Sequence, residues 1–151
     1  MQIRLDDPRT PDVLALLEEH LADMYATSPP ESVHALDPEA LTGPEISFWT
    51  AREDDVLMGC AALKRLSDEH VELKSMRTAT TARRRGVAGR LLDHLVLEAR
   101  RRGHERISLE TGVEDYFAPA RTLYLARGFI PCEPFEGYAP DPHSVFLTLA
   151  L

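Results

Sequence analysis

The sequence contains few cysteines and no long hydrophobic run, and these absences exclude several classes of protein. Its two cysteines, Cys60 and Cys132, are too few for a disulfide framework, and no grouping of His, Cys and Asp has a zinc-like spacing, so we expect no metal. No apolar stretch reaches the roughly 18 residues of a membrane span. Residues 1–7 lack the basic and apolar regions of a secretory signal. We therefore expect a cytoplasmic protein that does not bind a membrane.

Positive charge is also scarce. The chain has 17 Lys and Arg against 25 Asp and Glu, which gives a formal net charge of -8. A general nucleic-acid binder neutralises phosphates with basic residues, so we do not expect nucleic acid as a partner. The Gly-x-x-x-x-Gly-Lys motif of P-loop nucleotide-binding proteins is absent as well. The basic run Arg83–Arg85 is therefore a local exception in an acidic chain.

The length of 151 residues and the hydrophobic content of 44% fit a single domain, residues 1–151, with a core of its own. Hydrophobic periodicity predicts alternating strands and helices, and hence an α/β fold in which helices cover a mixed sheet. The predicted helices are Pro11–Tyr25, Gly86–Arg102 and Ala118–Arg127. The predicted strands are Ile3–Leu5, Ile46–Arg52, Val56–Lys64, His70–Thr78, Arg106–Thr111, Phe129–Ile130 and Ser144–Leu151.

Several local signals define the ends of these elements. Thr10 precedes Pro11 and is a candidate N-cap for the first helix, and Gly103 is a candidate C′ residue for the second. The short polar segment Glu53–Asp55 predicts a hairpin, so the second to fourth strands should form an antiparallel meander. The second helix then connects two neighbouring strands, which predicts a parallel crossover.

The turn from Arg83 to Gly89, with the sequence Arg-Arg-Arg-Gly-Val-Ala-Gly, joins a predicted strand to a predicted helix. A helix N-terminus exposes unpaired backbone N–H groups and the positive end of the helix dipole. The glycines let a ligand approach the backbone closely, and the three arginines add positive charge. These features predict an anion site, most simply one for a pyrophosphate.

Three motifs in this order and spacing resemble the GNAT superfamily of N-acetyltransferases, of the bacterial small-molecule type. They are the acyl-CoA turn Arg83-x-x-Gly86-x-Ala88 with the strand Glu72–Met76 before it, the strand end Leu109–Gly112, and the helix-to-strand signature Leu123-Tyr124-x-x-x-Gly128-Phe129. Ala88 stands where the family also uses glycine. Arg84 stands where glycine is common, so the role of its side chain is open.

The resemblance implies a mostly antiparallel central mixed sheet, splayed between its fourth and fifth strands, with helices on both faces. It also implies acetyl-CoA as co-substrate in that splay, with pantetheine along the fourth strand and pyrophosphate on the turn. The cofactor-binding residues implied are Met76, Arg77, Thr78, Arg83, Arg84, Arg85, Gly86, Val87, Ala88, Gly89 and Tyr124.

Amine acetylation needs a base for the amine and an acid for the departing thiolate. Glu72 is the candidate base, acting through water, and side-chain alternation groups it with Lys74 and Met76. The alternative is a solvated Glu72, or one that pairs with Lys74 or an arginine. Tyr124 is the candidate acid, because a phenol has a pKa near 10. The alternative is a tyrosine that packs in the core.

The acceptor is expected around Ser28–Leu36, before the meander. Candidate substrate contacts are Ser32, His34, Glu110 and Thr111, although a surface histidine and ordinary strand-end hydrogen bonds are open alternatives. Arg77 could meet an acidic acceptor or form an ion pair. His20 and His70 are assigned structural roles. The aromatic residues Tyr25, Trp49, Phe117 and Tyr138 could line the pocket or lie in the core.

The resulting functional hypothesis is acetyl-CoA-dependent transfer to the primary amine of a small molecule, directly within a ternary complex. One alternative is an N-acetyltransferase that acts on a protein or peptide. Another is a non-catalytic acyl-CoA-binding regulatory module. The apolar last strand, Val145–Leu151, could also pair across a homodimer.

Overall fold

Seven strands form one mixed sheet in this structure, a computed structural model that describes residues 1–34 and 37–151. The strands are β1 (Gln2–Leu5), β2 (Ile46–Glu53), β3 (Val56–Arg65), β4 (His70–Thr78), β5 (Arg106–Gly112), β6 (Ile130–Pro131) and β7 (Ser144–Ala150). The helices are α1 (Pro11–Thr27), α2 (Val87–Arg101) and α3 (Ala118–Ala126). Within the described residues, no helix is both long enough and apolar enough to cross a membrane.

The strand order is β1-β2-β3-β4-β5-β7-β6, and every neighbouring pair is antiparallel except β4–β5. This confirms the predicted mixed sheet, the meander of β2 to β4 and the parallel pair that α2 connects. Asp54 and Asp55 have φ values of 50° and 64°, as the tight β2–β3 hairpin turn requires. Gly103 ends α2 with a φ of 84°, as predicted. Thr10 occupies the predicted N-cap position of α1, but its hydroxyl donates to the Asp7 carbonyl (2.8 Å) and not to the helix.

Hydrophobic side chains of the sheet pack into two cores, one on each face. The larger core lies under α2 and includes Leu63 of β3 and Leu91 of α2. The smaller core lies under α1 and includes Val13 of α1 and Phe48 of β2. Alternation along β3 sends successive side chains to opposite cores, so both faces of the sheet centre are buried.

Gly59 of β3 lets the first turn of α2 lie close to the sheet. A Cβ atom at this residue would be 2.8 Å from the carbonyl oxygen of Arg77 and 3.0 Å from Cγ1 of Val87. A side chain would therefore push β3 away from β4, or α2 away from the sheet. Because Gly59 has no side chain, the Arg83–Gly89 turn stays against the end of β4.

The parallel pair β4–β5 is short, and this opens the sheet. The register contains three pairs, His70 with Arg106, Val71 with Ile107, and Glu72 with Ser108. Both strands continue past these pairs, to Thr78 and Gly112, without pairing to each other. The predicted splay between the fourth and fifth strands is therefore confirmed.

A β-bulge at Ser75 changes which side chains of β4 face the splay. Ala62 of β3 pairs with Lys74, but Cys60 pairs with Arg77, so β4 has one extra residue there. Ser75 has a φ of 56°, and the side-chain alternation shifts by one position after it. Met76 consequently packs against the core under α2. The predicted grouping of Met76 with Glu72 is therefore wrong, since the bulge turns Arg77 to that face instead.

Strand β7 lies between β5 and β6. Ile130 and Pro131 of β6 pair with Thr148 and Leu147 of β7. Over these two residues β7 already has partners on both sides, so edge pairing with a second copy is not available there.

The positive φ of Ser75 predicts opposite effects of two substitutions on stability. Ser75→Val puts a β-branched side chain at a positive φ and should lower the free energy of unfolding by about 1–2 kcal/mol. Ser75→Gly tolerates that φ and removes a hydroxyl that is buried without a hydrogen-bond partner among the described residues, so it should be at least as stable as the wild type. Urea denaturation measures both. Equal stability of the two variants would contradict a strained bulge.

Candidate active site

The splay between β4 and β5 leads into two connected cavities. The first, which we call the long cleft, has a volume of about 580 Å³ and is bounded by the end of β4, the Arg83–Gly89 turn and α3. The second, the inner cavity, has a volume of about 90 Å³ and lies between β4 and β5. Both are lined by His20, Met76, Phe117, Ala120 and Tyr124. These five residues therefore mark the junction between the cavities.

The turn before α2 forms one end of the long cleft. Gly86 caps α2 with a φ of 77°, and Arg84 also has a positive φ of 64°. A Cβ atom at Gly86 would meet no other atom within 4 Å, so the space beside its backbone is open. The first N–H groups of α2 have no partner within the helix. The turn thus has the room and the donors that an anionic group needs.

All but one of the predicted cofactor-binding residues line the long cleft. They are Met76, Arg77, Thr78, Arg83, Arg84, Gly86, Val87, Ala88, Gly89 and Tyr124. Arg85 does not line it, because its guanidinium pairs with Glu53 at the end of β2 (2.7 Å).

Arg77 joins three walls of the long cleft. It is 5% exposed, and its Nη2 donates to Glu19 (2.6 Å) and lies 2.8 Å from the Asp23 carboxylate, both on α1. Its Nη1 donates to the hydroxyl of Tyr116, in the turn before α3. The bond to Arg77 lowers the pKa of Asp23 below its usual value. Of the two roles considered for Arg77, the structure contains the ion pair.

Glu72 lies deep in the inner cavity and is engaged in hydrogen bonds. It is 3% exposed, and its Oε2 accepts from the Tyr138 hydroxyl (2.6 Å) and from Lys74 Nζ (3.2 Å). Lys74 Nζ also donates to the Tyr138 hydroxyl (2.9 Å). The alternative that Glu72 pairs with Lys74 is therefore the observed one. These two hydrogen bonds fix the position of the carboxylate in the inner cavity.

Glu110 lies across the splay on β5 and also lines the inner cavity, as does Thr111. Burial raises the pKa of Glu110 to about 7, although the Ser144 hydroxyl and the charge of Lys74 act to lower it; the smaller effects of Glu72 and Asp141 raise it further. A carboxyl group with this pKa can accept a proton near neutral pH. The sequence marked Glu110 only as a substrate contact, because its burial depends on the assembled sheet.

Tyr124 of α3 stands at the junction of the two cavities. It is 5% exposed, and its ring centroid lies 5.8 Å from that of Phe129. Burial raises the pKa of Tyr124 above its ordinary value, so its hydroxyl keeps its proton at neutral pH. A protonated phenol between the two cavities can donate a proton to a group that leaves at that point.

Two loops form the outer wall of the inner cavity. His34 lines it, with its ring edge-on to that of Tyr138 at a centroid distance of 5.1 Å. Ser32 does not line it; its hydroxyl donates to Asp141 (2.7 Å). These contacts connect the loop after α1 to the loop before β7. Residues 35 and 36 of the predicted acceptor region lie outside the described residues.

His20 is a site residue to which the sequence assigned only a structural role. It lies on the inward face of α1, three residues after Leu17, and lines both cavities. Burial and the nearby charge of Arg77 lower the pKa of His20 to about 4, so the ring is neutral at physiological pH. Its helical spacing with Leu17 was the signal that could have placed it there.

The four aromatic residues considered for the pocket divide into two groups. Phe117 and Tyr138 line the inner cavity. Trp49 packs into the core under α2, and Tyr25 is 53% exposed on α1, so neither contributes to the site.

Sequence comparisons are consistent with this geometry. A sequence model described as the acetyltransferase (GNAT) family matches residues 13–129. The chain is 53% identical over 151 residues to the protein named Uncharacterized N-acetyltransferase YsnE of Bacillus subtilis (strain 168), with 100% of both chains covered. It is 49% identical to Uncharacterized N-acetyltransferase YedL of Escherichia coli (strain K12), over 99% of this chain and 94% of the relative.

A solved structure from Klebsiella pneumoniae, described as an acyl-CoA N-acyltransferase, superposes on the chain with a TM-score of 0.81. The two share 24% identity, and the superposition covers 99% of this chain and 97% of the other. At this level of identity the likeness concerns the fold alone.

Proposed function

The chain belongs to the acetyltransferase (GNAT) family and is an acyltransferase, and from this premise we propose that it acetylates the primary amine of a small molecule. The observation that carries the proposal is the junction of the two cavities at Tyr124. The long cleft takes coenzyme A, and the inner cavity takes the amine. Transfer occurs where the cavities meet, between Tyr124 and Glu110.

The long cleft fits coenzyme A in shape and in chemistry. The N–H groups at the start of α2 and the open space beside Gly86 suit the pyrophosphate, and Arg83 and Arg84 add positive charge. The backbone of Met76–Thr78, unpaired toward β5, suits the pantetheine arm. Acetyl-CoA, when bound, supplies the acetyl group as a thioester.

Glu110 is the residue we propose as the base. It accepts the proton that the amine releases, directly or through a water, since its pKa lies near 7. Glu72, the base predicted from the sequence, is held by Lys74 and Tyr138 and instead orients these side chains around the acceptor. The two carboxyl groups thus have different roles because their surroundings differ.

Tyr124 is proposed as the acid, and the support for this is that it keeps its proton at neutral pH and lines both cavities. Transfer is proposed to be direct, within a ternary complex. Among the described residues, no cysteine lines either cavity. Cys60 is fully buried, its thiol donates to the Ser75 carbonyl (3.4 Å), and burial raises its pKa to about 12. It is therefore unsuited to carry an acyl group.

The size of the inner cavity favours a small amine over a protein or peptide. A volume of about 90 Å³ holds a compact amine end, whereas a peptide would have to continue out through the two loops. A non-catalytic acyl-CoA-binding module would not need both Glu110 and Tyr124 in the lining of the inner cavity. Cytoplasmic location, a single domain and a homodimer stay predictions from the sequence.

Gly86→Ala tests the pyrophosphate site. A methyl group at Gly86 would occupy the open space where the ligand approaches, so coenzyme A affinity should fall by at least about tenfold. Gly103→Ala is the matched control, because Gly103 also has a positive φ and open space but lies at the other end of α2. Calorimetry with coenzyme A measures both variants. Equal affinity of the two would remove the turn from the site.

Tyr124→Phe tests the acid. Without the hydroxyl, turnover should fall by at least about tenfold, while coenzyme A binding persists. Tyr25→Phe is the control, since it removes a hydroxyl that is exposed on α1, and its turnover should equal that of the wild type. The assay follows thiol release from acetyl-CoA with a panel of amines. Unchanged turnover in Tyr124→Phe would remove this residue from the mechanism.

Glu110→Gln tests the base and predicts a gain in stability. Turnover should fall by at least about 100-fold, and the increase of wild-type kcat/KM with pH up to about 7 should disappear. The pKa of Glu110 is raised above the model-peptide value of 4.5, so ionisation destabilises the folded state as pH rises from about 4.5 to 7. The variant should therefore be more stable than the wild type by roughly 1–3 kcal/mol above pH 7 and not below pH 4.

Activity and pH-dependent urea denaturation together check this prediction. Full activity of Glu110→Gln would show that Glu110 is not the base, and Glu72 would again be the candidate. A variant with no gain in stability at high pH would show that Glu110 is not desolvated as described.

A further inference from the structure

The inner cavity contains carboxylates but no cation with a free hydrogen-bond donor among the described residues. From this we infer that the acceptor is an amine with no carboxylate or phosphate close to its nitrogen. The inference rests on the proposed function and names the chemical class of its acceptor. It concerns the inner cavity alone, so binding as well as turnover can test it.

Lys74 is the only lysine or arginine among the residues that line the inner cavity. An ammonium group has three N–H donors. Those of Lys74 go to Oε2 of Glu72 (3.2 Å), the hydroxyl of Tyr138 (2.9 Å) and the carbonyl oxygen of His34 (3.4 Å). The side chain is 8% exposed. No donor of Lys74 is left for an anionic group of the acceptor.

The other basic groups nearby do not replace Lys74. Arg77 lines the long cleft, and its guanidinium pairs with Glu19 and Asp23 on α1. His20 is neutral at physiological pH because its pKa is lowered to about 4. The ring of His34 packs edge-on against that of Tyr138 at a centroid distance of 5.1 Å.

Negative charge, in contrast, is available to the acceptor. Both hydrogen bonds to Glu72 end on Oε2, so Oε1 takes neither of them. Glu110 lines the same cavity, and its carboxyl group ionises near neutral pH. An ammonium ion that enters is attracted by these two groups. A carboxylate that enters with it meets like charges and, among the described residues, no cation with a free donor.

Because the inner cavity is small, the carboxylate of an α-amino acid has to enter it together with the amine. In an α-amino acid the carboxylate carbon is two bonds from the amine nitrogen. If the nitrogen reaches Glu110, the carboxylate must also lie within the cavity of about 90 Å³. A buried anion without a partner is strongly disfavoured. The accepted class is therefore amines whose carbon skeleton near the nitrogen is apolar or neutral.

Three acceptors that share the 3-methylbutylamine framework test the inference. They are 3-methylbutylamine, leucinamide and leucine, assayed with acetyl-CoA at about pH 8 by mass spectrometry of the acetylated amine. We expect kcat/KM for leucine to be at least about 100-fold below that of the other two. The amine of 3-methylbutylamine is more basic than that of leucine, and the amine of leucinamide is less basic. If 3-methylbutylamine and leucinamide both have a higher kcat/KM than leucine, the difference therefore cannot come from amine basicity.

A pair of variants locates the cause of this selectivity. Tyr138→Phe removes one partner of Lys74 and frees an N–H donor, while the aromatic ring keeps its packing. The leucinamide-to-leucine ratio of kcat/KM should fall by about tenfold, because a charged donor can then meet the carboxylate. Tyr116→Phe is the matched control, since this hydroxyl bonds Arg77 and not Lys74. Its ratio should equal that of the wild type.

Binding separates this inference from the proposed function. Calorimetry measures the three acceptors on the protein saturated with desulfo-coenzyme A, which cannot react. Weaker binding of leucine than of 3-methylbutylamine and leucinamide supports the inference, whether or not any of the three is acetylated. A failure to acetylate any of them would overturn the proposed function. Acetylation with leucine preferred, or no binding of 3-methylbutylamine and leucinamide, overturns the inference. An unchanged ratio in Tyr138→Phe would overturn the role of Lys74.

Discussion

The separation of β4 from β5 after Glu72 and Ser108 is the constraint on which the rest of the structure depends. Two parallel strands that stay paired leave no room between them. Because these two diverge, the side chains on their inner edges line a cavity instead of a continuous core. Tyr124 of α3 enters the gap from one side, and the turn before α2 closes the end of the long cleft.

Burial within this gap gives two neighbouring carboxyl groups different properties. Glu72 is hydrogen-bonded to Lys74 and Tyr138, whereas burial raises the pKa of Glu110 to about 7. The same pairing occupies the donors of Lys74. In our proposal this single cluster therefore bears both on which carboxylate acts as base and on which acceptors can enter.

Much of the fold could be predicted because the signals are local. Helical periodicity, the Glu53–Asp55 hairpin and Gly103 gave the elements nearly in their final bounds. The Arg83–Gly89 turn indicated an anion site, since the donors at a helix N-terminus depend on adjacent residues only. The bulge at Ser75 was missed because one inserted residue leaves no periodic signal, and it reversed the expected facing of Met76 and Arg77.

The sequence by itself determined the family resemblance, the order of the elements and the residues that surround the long cleft. Only the tertiary structure decided the different surroundings of the two carboxylates and the place of His20 at the junction. The physical reason is that a pKa depends on burial and on charges within several Å. Those charges come from parts of the chain that are distant in sequence, such as Glu72 and Asp141 near Glu110. Side-chain identity is local, but the electrostatic surroundings of a side chain are not.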